Sequence, residues 1–315
     1  MRCLPQPAQA AVALTAVLTL ALVSCACSST SATGAGPGGS GGGRRVQVVA
    51  AENFWGSLAG QLGGVHVEVV SIITNPATDP HDYEPTAADA RTVAEAQEVI
   101  ENGVGYDPWA AQLVAAGRVD GQRVLDVGHL LGLAAGANPH RWYFPADVAR
   151  VIDRITADYQ RLDPADAAYF AQQRDRFVNT GLARYHELLA QIRARYAGTP
   201  VGASESIFVG LAQATGLRLV TPSTYLNAIS EGADPSTGDR ATVEDQIQQR
   251  RIRVWVLNSQ NATPDSQTLT TQARARHIPV TTITETLAPV GRSFQDWQVS
   301  QLEALERALV EGTGR

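Results

Sequence analysis

Short runs of β-branched and aliphatic residues alternate with amphipathic segments along most of the chain. The run 46–50 is typical of a buried strand, and 53–62 carries Phe54, Leu58 and Leu62 at helical spacing. The same pattern predicts strands at 65–73, 98–101 and 123–126, and helices at 86–96 and 108–116. Strands that alternate with helices of about ten residues indicate an α/β architecture with parallel sheets.

This alternation stops between residues 145 and 196, where the pattern is helical throughout. Asp163-Pro164 is typical of an N-cap followed by proline in the first helical turn, so one long helix is predicted from there, interrupted only at Gly181. The alternation then resumes, with strands predicted at 200–203, 218–220, 254–257 and 280–283 and helices at 206–215, 242–250, 266–276 and 295–310. We therefore expect two similar α/β lobes, 44–163 and 198–315, joined by a single long α-helix at 164–197.

The first 43 residues have a different character. An apolar stretch at 10–23 is too short to span a bilayer as a mature helix, and it ends in Leu22-Val23-Ser24-Cys25. That ending resembles the bacterial lipobox, which implies a signal peptide at 1–24 and a lipid on Cys25. The alternative is an ordinary cleaved signal that releases the protein. Residues 25–43 are rich in glycine and serine and are predicted to form a flexible, lipidated tether.

Charge and cysteine content exclude several kinds of function. The net charge is −6, and the charged residues are interspersed, which argues against nucleic acid as a partner. Cys3 lies in the signal peptide, and Cys25 and Cys27 lie in the tether. The folded part therefore has no disulfide framework, no thiolate metal site and no cysteine nucleophile.

Two of the six histidines lie in loops that a proline stiffens. His81 follows Pro80, and His140 follows Pro139. Loops at the carboxyl ends of parallel strands are where α/β proteins bind ligands, so both imidazoles are candidate metal ligands. Spacing alone supports metal ligation and an ordinary structural role equally. The other four histidines are expected in ordinary roles, one inside a strand and one in a loop among them: His66, His129, His186 and His277.

Two carboxylates of the second lobe occupy similar places. Glu205 follows the strand predicted at 200–203, and Glu285 follows the strand predicted at 280–283. Taken singly, each is a favourable charge at a helix N-terminus. Together with His81 and His140, they would make a site of two imidazoles and two carboxylates between the lobes.

The order of these motifs resembles a known family. The segments that carry the resemblance are Asp79-Pro80-His81-Asp82-Tyr83-Glu84-Pro85-Thr86, Glu101-Asn102-Gly103, Asp107-Pro108-Trp109, Asn138-Pro139-His140-Arg141-Trp142, Ser204-Glu205 and Thr284-Glu285-Thr286. In that order they are similar to the zinc/manganese-binding solute-binding lipoproteins of ABC transporters, also called metal-binding receptor or adhesin-like lipoproteins. The resemblance covers nearly all of the chain after the tether. It implies a ligand cleft between the lobes, with His81, His140, Glu205 and Glu285 as metal ligands.

The resemblance also implies a function and a location. The protein is expected to be an extracytoplasmic receptor, anchored to the cell membrane by its N-terminal lipid, that delivers Zn²⁺ or Mn²⁺ to an ABC permease and its ATPase. We expect a monomer without enzymatic activity. Zinc is narrowly favoured, because four ligands close a tetrahedral site if each glutamate binds through one oxygen. The pair of carboxylates and the absence of a His-rich loop favour manganese instead.

The chain departs from the family pattern at two positions near the site. Asn138 stands where relatives often have aspartate, so the group that orients His140 is expected to differ. Glu285 stands where aspartate is common.

Two other functions are alternatives, a metal-dependent hydrolase and a surface adhesin. A hydrolase needs an open coordination position and a general base. Asp82 and Glu84 are nominal bases, but both lie in the family's structural motif. The segment Gly202-Ala203-Ser204-Glu205-Ser206 lacks the second glycine of a nucleophile elbow. Nothing in the residues encodes a partner for an adhesin.

Overall fold

The computed structural model describes residues 44–78, 80–81 and 83–315. The predicted signal peptide, Cys25 and the tether lie outside the described residues, as do Asp79 and Asp82. No helix in the described part of the chain is both long enough and apolar enough to cross a membrane.

Eight parallel strands form two sheets of the same topology. The first sheet has the order β2-β1-β3-β4 and the second the order β6-β5-β7-β8. The strands are β1 (Val46–Glu52), β2 (Val67–Ile73), β3 (Glu98–Glu101), β4 (Arg123–Asp126), β5 (Pro200–Ala203), β6 (Arg218–Leu219), β7 (Trp255–Asn258) and β8 (Val280–Ile283). The predicted class, two similar α/β lobes, is confirmed; the lobes are named here after the sheets β1–β4 and β5–β8.

Twelve α-helices accompany these strands in the described part of the chain. They are α1 (Asn53–Gly63), α2 (Ala87–Glu95), α3 (Pro108–Gly117), α4 (Val127–Leu131), α5 (Pro145–Leu162), α6 (Ala167–Arg176), α7 (Ala183–Tyr196), α8 (Val209–Thr215), α9 (Ser223–Ser230), α10 (Thr237–Gln248), α11 (Pro264–Ala275) and α12 (Phe294–Thr313). Local sequence fixes where several begin. At α2 the Thr86 hydroxyl accepts from the Asp89 N–H, and the Asp89 carboxylate accepts from the Thr86 N–H at 2.7 Å, which is a capping box.

The connection between the lobes contains the predicted long helix. Helices α6 and α7 follow one another with a π-helical turn, Phe177–Gly181, between them. The turn ends at Gly181, where an interruption was predicted, and such turns insert one extra residue into an otherwise α-helical segment. The lobe boundaries at 163/164 and 197/198 remain predictions.

Two local predictions were wrong, and one helix was missed. His66 lies in a 3₁₀ turn just before β2 and not inside a strand, and His129 lies in α4 and not in a loop. Helix α9 was not predicted at all. Helices α4 and α9 are both short, so burial in the folded chain contributes more to their stability than intrinsic helix propensity does.

The two lobes share one hydrophobic core. A continuous cluster of buried side chains includes Phe54 and Trp142 of the first lobe and Trp255 and Trp297 of the second. The rings of Phe54 and Trp142 stack with centroids 4.0 Å apart, just behind the loop that carries His140. Hydrogen bonds also join the lobes, such as that from the Leu287 N–H to Asn53 Oδ1 at 3.0 Å. This shared packing favours a small closure around a ligand over a wide hinge motion.

Candidate metal centre

Every predicted metal ligand lies beyond the carboxyl end of a strand. His81 follows β2, His140 follows β4 and the short α4, Glu205 follows β5, and Glu285 follows β8. Parallel strands place their carboxyl ends at one edge of a sheet, so loops from both sheets can meet in one cleft.

Three of these four side chains converge. One ligand atom each from His140, Glu205 and Glu285 lies within 4.8 Å of the others. His140 Nε2 is 3.3 Å from Glu205 Oε1 and 3.7 Å from Glu285 Oε2, and all three residues are buried. Two ligand atoms bound tetrahedrally to zinc at about 2.1 Å are separated by roughly 3.4 Å. The observed spacing therefore fits one small divalent ion.

The hydrogen bonds of Asn138 decide which nitrogen of His140 faces the cleft. Asn138 Nδ2 donates to the Ser206 carbonyl at 2.7 Å, which leaves Asn138 Oδ1 as the acceptor for the His140 N–H at 3.0 Å and for His140 Nδ1 at 2.9 Å. An amide oxygen can only accept, so Nδ1 carries a proton, and Nε2 faces the two carboxylates with either a second proton or a lone pair for a metal.

The position of His140 Nε2 requires a proton or a metal ion there. His140 Nε2 is buried and has no hydrogen-bond partner among the described residues. A lone pair that faces two carboxylates in a dry site is repelled by them unless a proton or a metal ion lies between. The same orientation, with Nδ1–H donated to an oxygen and Nε2 free, is the one that metal-binding histidines adopt. The residues therefore fit a bound divalent metal.

The electrostatics of the site point the same way. Burial disfavours a charged imidazole, but Glu205 and Glu285 outweigh it and raise the pKa of His140 to about 9. Burial would raise the pKa of Glu285, yet its interactions with His140 and Tyr106 hold that pKa below its ordinary value. Both carboxylates thus favour a positive charge at His140 Nε2, and a divalent ion would displace the proton there.

Two further buried residues hold the carboxylates, and neither of them was predicted from the sequence. The Tyr106 hydroxyl donates to Glu285 Oε2 at 2.7 Å. Asn258 Nδ2 donates to Glu205 Oε2 at 2.6 Å and to Glu285 Oε1 at 2.8 Å. Asn258 ends β7, which lies between the two strands that precede these glutamates. A polar residue at the end of a predicted strand was the sequence feature that could have identified Asn258.

His81 lies beside this group. Its ring meets the Tyr106 ring edge-on, with centroids 4.8 Å apart, and it lines a cavity of about 150 Å³ together with Glu285. Of the described residues, only the other three predicted ligands have atoms within 4.8 Å of one another at this site. The structure therefore brings three predicted ligands together and places the fourth at the edge of the same cavity.

A second group of possible ligands differs from the first. His66, Asp163 and Asp166 also have ligand atoms within 4.8 Å of one another, but all three are partly exposed. His66 Nδ1 is 2.9 Å from Asp166 Oδ2, so this imidazole already has a partner. An ordinary ion pair accounts for the arrangement.

Comparisons with known proteins agree with this chemistry. The family described as "Zinc-uptake complex component A periplasmic" matches residues 48–308. A manganese-binding lipoprotein of Halalkalibacterium halodurans is 25% identical over 139 residues, which cover 43% of this chain and 46% of that protein. A metal ABC transporter substrate-binding lipoprotein of Streptococcus parasanguinis is 22% identical over 82% of this chain and 88% of its own length. The chain spans about half the length of several of the curated relatives that it matches.

A solved structure has the same fold. A manganese-bound mutant of a periplasmic metal-binding protein from Candidatus Liberibacter asiaticus aligns with a TM-score of 0.72. The alignment covers 84% of this chain and all of that chain, at 17% identity.

Proposed function

Since the chain belongs to the family of the periplasmic component A of zinc-uptake complexes, we propose that it captures a divalent transition metal outside the cell membrane for an ABC importer. Members of this family are metal-binding transport receptors and not enzymes, so the hydrolase alternative is set aside. The observation that carries the proposal is the buried His140 Nε2, which faces Glu205 and Glu285 at 3.3 and 3.7 Å without a hydrogen-bond partner among the described residues.

Capture uses ligands from both lobes. His140 comes from the first lobe, and Glu205 and Glu285 come from the second, so a bound ion ties the lobes together. We propose His81 as the fourth ligand, because it lines the cavity with Glu285 and its ring lies next to Tyr106. A change of its side-chain rotamer, or a small closure of the lobes, would bring its imidazole to the ion.

The proposed cargo is zinc, with manganese as the second candidate. Two imidazoles and two carboxylates suit borderline to hard divalent ions, and thiolates are absent from the described residues. The description of the matched family names zinc, whereas the H. halodurans relative is named for manganese. Affinity alone will not identify the physiological cargo, because zinc binds most such sites more tightly than manganese.

Delivery requires a membrane partner. We propose that the protein acts as a monomer, held at the membrane by a lipid on Cys25, and passes its metal to an ABC permease with its ATPase. Anchoring raises the effective concentration of the receptor at the permease, because both are confined to the same surface.

Metal stoichiometry tests the site. The wild-type chain, His140→Ala, Glu205→Gln and the control His186→Ala would be dialysed against zinc and analysed for bound metal. His186 lies on the exposed face of α7, so its variant controls for loss of an imidazole elsewhere. We expect one ion per chain for the wild type and the control, and almost none for the two site variants. A His140→Ala chain with the wild-type stoichiometry would refute the proposed site.

A further inference from the structure

Asn258 is buried between the two glutamate ligands, and its amide orientation is fixed. Asn258 Oδ1 accepts from the Gln260 N–H at 3.0 Å, so Nδ2 must face the opposite side. There Nδ2 donates to Glu205 Oε2 at 2.6 Å and to Glu285 Oε1 at 2.8 Å. An amide nitrogen has two hydrogens, and both are used in this way.

The bridge holds one oxygen of each glutamate against Asn258 and leaves the other facing His140. Glu205 Oε1 and Glu285 Oε2 are the oxygens that face His140 Nε2. The other oxygen of each carboxylate is bound to Asn258. Glu285 Oε2 also accepts from the Tyr106 hydroxyl, but a carboxylate oxygen has a second lone pair that can bind a metal. To bind a metal through both oxygens, either carboxylate would have to rotate until its second oxygen also faces the ion. That rotation would bend or break its charge-assisted hydrogen bond to Asn258, which is about twice as strong as a neutral one.

Asn258 is also held firmly by the backbone. It is the last residue of β7 and pairs in register with Ile283 of β8. Its own N–H donates to Ser204 Oγ at 2.9 Å, next to the ligand Glu205. The donor is therefore tied to both strands whose ends carry the glutamates, and it does not depend on a flexible loop.

We propose that Asn258 determines the metal specificity of the site by keeping both glutamates monodentate. This inference rests on the proposed function, and it explains how the site would distinguish zinc from manganese. Two monodentate carboxylates and two imidazoles provide four ligands, which satisfies tetrahedral zinc. Manganese prefers about six oxygen-rich ligands and would need bidentate carboxylates or added water. The amide bridge thus disfavours manganese relative to zinc.

X-ray absorption at the zinc edge counts the ligands directly. We expect about four nitrogen or oxygen neighbours in the wild-type protein. In Asn258→Ala the second oxygens lose their donor, so we expect five or six neighbours. Competition titrations should show the preference for zinc over manganese falling by about tenfold or more, as loss of a hydrogen bond to a charged group implies. Asn258→Asp keeps the shape of the side chain and the acceptor for Gln260 but has no amide donor. Its ligand number should therefore rise, and its preference for zinc should fall, as in Asn258→Ala.

The control is Asn179→Ala. Asn179 is exposed in the π-helical turn between α6 and α7, so its variant removes an asparagine amide outside the metal site. Its variant should keep the wild-type ligand number and metal preference. Five or six neighbours in the wild type would overturn the inference without any variant, as would a folded Asn258→Ala that binds one ion with unchanged ligand number and preference. A wild-type chain that binds no metal would instead contradict the proposed function.

Discussion

Replacement of Glu98 by glutamine should make the stability of the protein less dependent on pH. Glu98 is the first residue of β3 and is fully buried, and neither of its carboxylate oxygens has a hydrogen-bond partner among the described residues. Burial and the nearby Asp158 raise its pKa to about 8, although Arg123 and Arg154 act in the opposite direction.

A raised carboxyl pKa stabilises the fold at low pH. Between the ordinary value of 4.5 and the folded value of about 8, the folded chain binds a proton at Glu98 that the unfolded chain has lost. The free energy of unfolding therefore falls as the pH rises through this window. At 1.36 kcal/mol per pH unit, this carboxyl accounts for a loss of up to about 5 kcal/mol between pH 4.5 and 8.

Denaturant unfolding followed by circular dichroism measures this loss. Wild type, Glu98→Gln and the control Glu68→Gln would be unfolded at several pH values from 5 to 8.5, with a chelator present so that metal binding does not contribute. Burying the glutamine amide shifts stability equally at every pH, so the slope against pH isolates the carboxyl. Glu68 is about half exposed beside Arg45, and its variant should follow the wild-type slope. Parallel curves for Glu98→Gln and wild type would refute a protonated Glu98.

Three other predictions concern the metal site and the membrane anchor. Asn138→Leu should lower zinc affinity about 10- to 100-fold in chelator competition, because His140 loses its orienting acceptor. Asn138→Asp should retain most of the affinity. Equal zinc affinities of the leucine and aspartate variants would contradict this role of Asn138. Zinc at about 1,000 times its dissociation constant should add about 4 kcal/mol to the free energy of unfolding, as measured by denaturant titration. His140→Ala should show no such gain, and a wild-type gain in that variant would argue against the site. Cys25→Ser should move the protein from the membrane fraction to the soluble fraction in a bacterial host, and retention in membranes would exclude the lipid anchor.

Much of the fold was predictable, because short buried strands have a strong sequence signal. The bounds predicted for β3, β4, β5 and β8 agree with the structure, since each is a brief run with a β-branched or aliphatic centre. Helices α4 and α9 were not predicted. They are too short for a clear period, and they are stabilised by packing that no local pattern contains.

The site was predictable only in part. Imidazoles and carboxylates at strand ends pointed to His81, His140, Glu205 and Glu285, because ligand chemistry depends on residue type, and the last three of these lie together in the structure. Tyr106 and Asn258 have no such chemistry of their own. Their roles depend on distances between strands that are far apart in sequence, so only the folded structure reveals them.

The departure at Asn138 was expected to change the group that orients His140. The orienting group is an amide oxygen, which accepts from His140 Nδ1 at 2.9 Å. Asparagine and aspartate have nearly the same shape, so the acceptor is kept while the negative charge is lost.

A crystal structure of the zinc-loaded protein, with anomalous data at the zinc edge, tests metal capture most directly. We predict one strong peak per chain, about 2.0–2.2 Å from His140 Nε2, Glu205 Oε1 and Glu285 Oε2. A peak only at His66, Asp163 and Asp166, or no peak in the cleft, would contradict metal capture by His140, Glu205 and Glu285.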